Sequence, residues 1–428
     1  MAETAVQHGG IDRRRWLARI GLVAGGAVFL LYIGMWAIWI RGGSEGSDYT
    51  AFYTGWSIVA HGDGASLYDP VVQAATQKDI LGGRTFEAGL NPFNNPPHAI
   101  VPFMPLTALP LNVSYIAWAV VQVVLLGWLL WRLLTRVAVG WSSDERVLLI
   151  AAAIAAPPLA LALLQGSFSL LVTVALLEVY LALCAGGQPA AAAWLVVASV
   201  KPQAVLATGV ALVAARRWVV VGLAAAGFLS LALLATVVMG PAIWPSYLRF
   251  LGDYVGSFDV FSVRPSVMWN LRGTLSLWAG PDITPATAAL INQVALIAQI
   301  AALVAIAWLW RGRWDAGTPA FALRFAMTLV IGLVFSPHLN PHDDLLLVPA
   351  GAIAYGAVRE RAEGQWLGVA LLIAPFGVLV LNWIDVNQVG GPLIRVPVIL
   401  MLAFIAVLAV LLRDEGRVTQ AIPAAVAR

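Results

Sequence analysis

The sequence predicts an all-α, polytopic membrane protein, a bundle of about twelve transmembrane helices with two long outer loops. Three observations predict it. The 428 residues are 61% hydrophobic and only 11% charged, where a soluble domain carries roughly 25% charged residues. Runs such as 17–40, 219–239 and 392–412 are apolar from end to end or broken by a single arginine, long enough to cross a hydrocarbon core of about 30 Å. The Lys/Arg residues are also unevenly placed. With twelve crossings and a cytoplasmic amino terminus, 17 of the 25 fall inside, leaving 8 outside, as the positive-inside bias requires. The net charge of +3 is small, and the single cysteine, Cys184, excludes an intramolecular disulfide. No nucleic-acid partner is expected.

The elements follow in order. The first span, 17–40, is preceded by Arg13-Arg14-Arg15. The run is too long for a signal-peptide core and ends in no A-x-A site, so it reads as an uncleaved span anchored on the cytoplasmic side. The first outer loop, 41–112, is rich in Gly, Pro, Asp, Tyr and Asn, which predicts turns and short interfacial helices. Structureless connections of this length usually carry function. Its end, from Asn94-Asn95-Pro96-Pro97-His98 through Pro110, re-enters the membrane as a rigid, extended segment. Spans follow near 113–134, 147–164 and 168–186. The stretch 190–215 reads either as one helix with Lys201 at mid-membrane or as two short helices, 190–200 and 201–215, meeting at Lys201-Pro202-Gln203. The charge bias favours two, although about 11 residues reach only about 16 Å. Such halves must be tilted, extended by neighbours or re-entrant within protein. Then come a span at 218–239, the second outer loop at 240–284, and spans near 285–310, 321–336, 342–358, 366–384 and 392–412. Residues 414–428 form a short tail, with both termini cytoplasmic. No internal repeat divides the chain, which reads as a single membrane-embedded domain, 1–428.

On this topology the outer side holds twelve of the 22 acids and four of the five histidines. Chemistry needs acids, bases and room, so the site is expected there. Asp48 stands just after the first span, ahead of an apolar-aromatic run with helical spacing (Phe52, Trp56, Val59). A carboxylate at the membrane surface suits a general base acting on a hydroxyl. The competing role is a helix cap, with Ser47 or Asp48 satisfying free amides at Tyr49 and Thr50. His338 and His342, followed by Asp343-Asp344, have a spacing that can place two metal ligands on one helix face. Pro337 and Pro341 break that helix, so no metal is expected, and contact with an anionic headgroup fits better. Lys201, one of two lysines, sits at a helix break, where an intramembrane or interfacial cation is a functional candidate with phosphate as its partner. Arg264 and Arg272 in the second loop have the right chemistry for a phosphate. Glu178 lies inside a span and must be paired or face a cavity.

Together these pieces resemble glycosyltransferase family 87 of the GT-C membrane superfamily. The resemblance rests on an ordered set: Asp48-Tyr49-x-x-Phe52-Tyr53-x-Gly55; Gly62 to Leu67-Tyr68-Asp69-Pro70; Asn95-Pro96-Pro97 with Pro105-Leu106-x-x-Leu109-Pro110; Lys201-Pro202-Gln203; and Ser336-Pro337-His338 before Pro341-His342. It implies a GT-C-like bundle, no cofactor, a polyprenyl-phosphate sugar donor, typically of mannose, and a lipid or glycan acceptor outside the cytoplasmic membrane. It also implies an acidic base in the first outer loop, a role that falls on Asp48. Mannosyltransferases of phosphatidylinositol mannosides, the best-known members, have Asp-Leu-His where this chain has Asp48-Tyr49-Thr50. Beside the resemblance, Lys201, Arg264, His338 and His342 are expected at the donor phosphate or sugar. Tyr49, Tyr68, Asn95 and Gln203 are expected to support the loop or acceptor. The rival reading is a secondary transporter or lipid flippase, whose substrates bind at broken helices like that at Lys201-Pro202.

Overall fold

A computed structural model describes residues 13–41, 48–86, 89–258, 264–312, 314–361, parts of 364–370, and 396–426. The described chain is helical, with no strand among its elements. The expected span 366–384, apart from a few positions, lies outside the described residues, as do Ser47 and the acids Glu45, Glu87, Asp259 and Asp385.

Helix α1 (Arg13–Arg41) is the first span. The first outer loop then folds into α2 (Asp48–Ala60) and α3 (Pro70–Ile80), with short 3-10 turns between and after them. Asp69 caps α3 by accepting from the Val71 amide at 2.8 Å, and Pro70 occupies the first helical position, where no amide is needed. The glutamines of α3 then strap the extended segment that follows. Gln73 accepts from the Phe93 amide at 2.7 Å, and Gln77 donates to the Asn91 carbonyl at 2.7 Å. Gly55 lets Phe93 lie against α2, because a Cβ there would meet the Phe93 ring at 2.6 Å.

Three later helices are long and apolar enough to cross: α4 (Leu111–Arg132), α10 (Trp218–Met239) and α13 (Pro285–Leu309). With α1 and the carboxy-terminal α16 (Val396–Val426), five described helices meet that test. The expected span at 147–164 is a bent pair, α5 (Ser143–Ala155) and α6 (Pro157–Gln165), turned by 46° at Ala156-Pro157. Proline at the second helix's first position ends the first helix, because the residue before it is driven out of the helical region. The stretch 190–215 is two helices, α8 (Gln188–Ala198) and α9 (Pro202–Ala214), parted at Ser199–Lys201. They are too short to cross alone. They are packed within the protein, α8 against α7 (Ser169–Cys184) and α10, and α9 against α13 and α14 (Pro319–Val334). The expected span 342–358 starts later, as α15 (Leu347–Val358), after a 3-10 turn at Pro341–Leu346. The second outer loop holds α11 (Ile243–Gly256) and α12 (Leu271–Ala279).

Glu178, in the middle of α7, is paired. Its carboxylate accepts from both Nε and Nη2 of Arg132 on α4, and from the Trp128 indole at 2.8 Å. The fork of an arginine satisfies a buried carboxylate with two parallel bonds, which is how a charge can be kept inside a span.

Candidate active site

Four chain segments converge at one end of α7, α9 and α14. The first contributes Asp48, opening residue of α2. A Tyr49 anchor holds that helix end. Tyr49 is fully buried, its hydroxyl bonds Ser114 Oγ at 2.6 Å, and its ring meets Trp56 and Tyr115 edge-on. Gly166, at the left-handed end of α6 (φ 65°), leaves room for it, since a Cβ there would lie 2.9 Å from the Tyr49 Cβ. With Tyr49 turned inward, Asp48 faces the other way. Its side chain is 24% exposed and stands 3.4 Å from His342 Nε2. No backbone amide among the described residues takes Asp48 as a cap; its contact is with the histidine.

The second segment is the break between α8 and α9. Lys201 is 7% exposed, and its ammonium donates to Ser169 Oγ at 3.0 Å and to Asp343 Oδ1 at 2.5 Å, with His342 Nε2 at 3.3 Å. An ammonium has three N–H donors, so these contacts fill it. The first loop is fastened to the same break: Tyr68 donates to the Asn95 carbonyl at 2.6 Å, and Asn95 Nδ2 donates to the Val200 carbonyl at 2.8 Å. Tyr68 and Asn95 are thus loop supports one residue from Lys201. Gln203 lies half-buried in the first turn of α9.

The third segment is the start of α7, where Ser169 Oγ donates to Asp343 at 2.5 Å while accepting from Lys201. The fourth is the connection 335–346. Pro341 ends any helix there, and Asp343 Oδ2 accepts from the Asn340 amide at 3.1 Å, folding the segment into a tight turn. That turn brings His342 and Asp343 to Lys201. Burial pushes the Asp343 carboxyl up, but Lys201 and His342 beside it, and its bonds from Lys201 and Ser169, outweigh that and hold it well below the usual carboxylate range. Burial drives the His342 imidazole down, and the Lys201 charge adds to that. Asp344 is 1% exposed and neither oxygen has a hydrogen-bond partner among the described residues. Burial, and then the Asp343 charge, raise it well above the usual range, which favours its protonated form.

A second ring of groups stands beside this core. The His338 ring packs on Tyr254 at 5.4 Å, and Tyr254 accepts from Asn94 Nδ2 at 2.7 Å. Burial lowers His338 to about 4, so it is uncharged at neutral pH. Arg272 is 2% exposed; its Nε donates to Asn292 and its Nη2 to the Ser257 carbonyl, both at 2.9 Å, while Nη1 is buried with no partner among the described residues. Burial pulls its guanidinium down to about 10, which leaves it charged at neutral pH. Arg264 is exposed and shares no hydrogen bond or ion pair with either group. Of the two arginines expected at a phosphate, the structure sets Arg272 beside His338 and Tyr254, in the turn of α12 that Asn270 caps (to the Gly273 amide at 2.7 Å).

The arrangement brings together Asp48, Lys201, His338 and His342 of the expected residues. It also draws in Asp343 and Arg272, both noted from the sequence, and adds Ser169 and Tyr254. Ser169 carried a weak signal, a polar residue at a helix start after Gly166; Tyr254 carried none, since its neighbours come from loops distant in sequence. Among the described residues no group of three or more His, Cys, Asp or Glu side chains could hold a metal ion. The chemistry on offer is one half-open carboxylate beside a buried ammonium and two neutral imidazoles.

A family model, Glycosyltransferase family 87, matches residues 93–337, more than half of the chain. That stretch contains the Asn95 and Lys201 segments and Arg272, while Asp48, His338 and His342 flank it. No curated protein and no solved structure matches the chain.

Proposed function

Since the chain belongs to glycosyltransferase family 87, we propose that it moves a hexose, mannose first, from a polyprenyl-phosphate donor to a lipid or glycan acceptor at the outer face of the cytoplasmic membrane. The observation that carries the reading is the pairing of a half-open Asp48 carboxylate with His342, 3.4 Å away, in front of Lys201. Asp48 takes the proton of the acceptor hydroxyl, and the acceptor oxygen bonds to the anomeric carbon. The bond from that carbon to the phosphate oxygen breaks, its electron pair leaving on the polyprenyl phosphate. A single displacement inverts the anomeric centre and needs one base, because the phosphate leaves without a general acid. No second carboxylate of the glycosidase kind is required.

Lys201 has all three donors engaged, so it meets a phosphate only by giving up a partner. The longest contact, to His342 at 3.3 Å, is the one to release. His342 Nε2 can accept from Lys201 or donate to Asp48, but not both at once. Phosphate binding therefore frees His342 to steady the base. The Nη1 of Arg272, without a partner among the described residues, and the neutral His338 complete the set that meets the leaving charge, in place of a metal. The domain is single, the bundle GT-C-like with about twelve crossings, and both termini cytoplasmic. A transporter or flippase is the lesser reading; the broken helix at Lys201-Pro202 serves it equally, but the family is one of transferases.

The test is turnover by purified protein, in EDTA throughout, of a panel of polyprenyl-phosphate sugars against lipid and glycan acceptors. Transfer of mannose with release of polyprenyl phosphate is expected. Transport of the lipid with no sugar transferred would replace the proposal with the flippase reading.

A further inference from the structure

At the opposite end of α7, α9 and α14 lies a second concave site. The turn from α9 to α10 and the chain after α13 enclose a cavity of about 600 Å³ lined by Arg216, Arg217, Arg311, Trp314 and Asp315. A smaller chamber of about 170 Å³ shares Arg217 and Trp314 and continues among Leu183, Cys184 and Val220. The three arginines form no ion pair and no side-chain hydrogen bond among the described residues, and Arg217 Nε is buried with no acceptor. Two of them are nonetheless held in place. The Arg217 guanidinium lies 4.2 Å from the Trp314 ring centre, and Arg311 lies 4.5 Å from that of Trp308. Arg216 takes a left-handed backbone (φ 55°), the one non-glycine residue described with positive φ. Conformations of that kind are costly and persist where the surroundings impose them.

Two exposed tryptophans flank these arginines: Trp218, at 60%, follows Arg217 in the chain, and Trp308, at 61%, carries the Arg311 guanidinium. Exposed tryptophans of this kind mark the headgroup zone of a bilayer. A concave group of guanidiniums with no ion pair among the described residues, flanked by exposed tryptophans, matches an anionic phosphodiester headgroup. Arginine meets phosphate with two parallel bonds. We propose that this cavity binds the headgroup of an anionic phospholipid, from the leaflet opposite to the Asp48 site. Ordinary positive-inside arginines explain the charge, but not the gathering of three of them round one cavity.

The inference is independent of the transfer reaction and has its own readout. Cys184, the one cysteine of the chain, is half-buried and lines the smaller chamber. Its rate of alkylation by an uncharged maleimide reports occupancy. The detergent-purified protein is titrated with phosphatidylglycerol, with phosphatidylcholine and with inorganic phosphate. Phosphatidylglycerol should slow the labelling and phosphatidylcholine should not. In the double variant Arg216→Ala/Arg311→Ala the affinity for phosphatidylglycerol should fall about 30-fold, from two cations each worth roughly fivefold. Sugar transfer should be unchanged in that variant, since neither residue touches the other site. Protection by inorganic phosphate without protection by the lipid would make the ligand a soluble anion and overturn the lipid assignment. Equal protection by the two lipids, or protection undiminished by the double substitution, would overturn the assignment of this arginine cavity to an anionic headgroup.

Discussion

At the scale of single residues, Asp48 and Asp344 are two carboxyls in opposite circumstances. Asp48 is half-open and paired with an imidazole; Asp344 is enclosed with no partner among the described residues. Asp48→Asn keeps the shape but cannot take a proton. Loss of a general base typically costs 10²–10⁴-fold in rate, roughly 3–5 kcal/mol in barrier. The variant is expected to express, insert and bind donor while losing nearly all transfer; turnover within about threefold of wild type would move the base elsewhere, against the full effect of a general base. Asp344 tells on stability instead. A carboxyl whose folded pKa is raised holds its proton in the native state above pH 3.8, where the unfolded chain has lost it. Its effect is therefore nil below the unfolded value and increasingly destabilising as pH rises toward the folded one. Asp344→Asn, neutral at every pH, should melt higher than wild type at pH 7 and converge with it near pH 4, measured by thermal unfolding in detergent. A variant that melts lower at pH 7 would show the carboxylate to be ionised and paired.

Among the elements, the helix pairs divide by what a sequence can express. The break between α8 and α9 was legible from Lys201-Pro202-Gln203, because proline removes a donor and excludes the helical conformation before it. The bend at Ala156-Pro157 is the same physics, yet a continuous apolar run over 147–164 hid it. The turn at 335–346 was legible as a helix break, but not as a fold that returns His342 to Asp48, because that contact joins residues at opposite ends of the chain. Which of the two candidate arginines is buried, Arg272, and which exposed, Arg264, emerged only from packing. Glu178 shows the converse. Its need for a partner was clear from its place in a span, while Arg132 became its partner only through the packing of α4 on α7. Glu178→Gln leaves the Arg132 charge in a low-dielectric contact, and breaking a buried pair this way costs about 3–5 kcal/mol. The expected result is a lower melting temperature and reduced yield, with Arg132→Met/Glu178→Met restoring much of both. Equal stability of the single variant and wild type would show that water reaches the pair.

For the whole molecule, the proposed twelve-crossing orientation rests on the 17-to-8 division of Lys/Arg that it gives. A reporter fused after Arg217 should be cytoplasmic, and one inserted near Gly280 external; a cytoplasmic signal at Gly280 would invert the molecule and place Asp48 inside. The lengths of the helices then have a consequence for depth. The 16-residue α7 and α14, which bear the site at one end and adjoin the arginine cavity at the other, are about 24 Å long. The 22- to 25-residue α4, α10 and α13 are about 33–38 Å long and clear a core of about 30 Å. On the proposed topology, the shorter helices set Asp48 deeper than the ends of α4, α10 and α13. Under the proposed reaction a lipid-linked donor headgroup then descends to react, and a thinner bilayer shortens that descent. Transfer in vesicles should accordingly rise as acyl chains shorten, and a rate indifferent to chain length would mean that the membrane already dips to meet the protein.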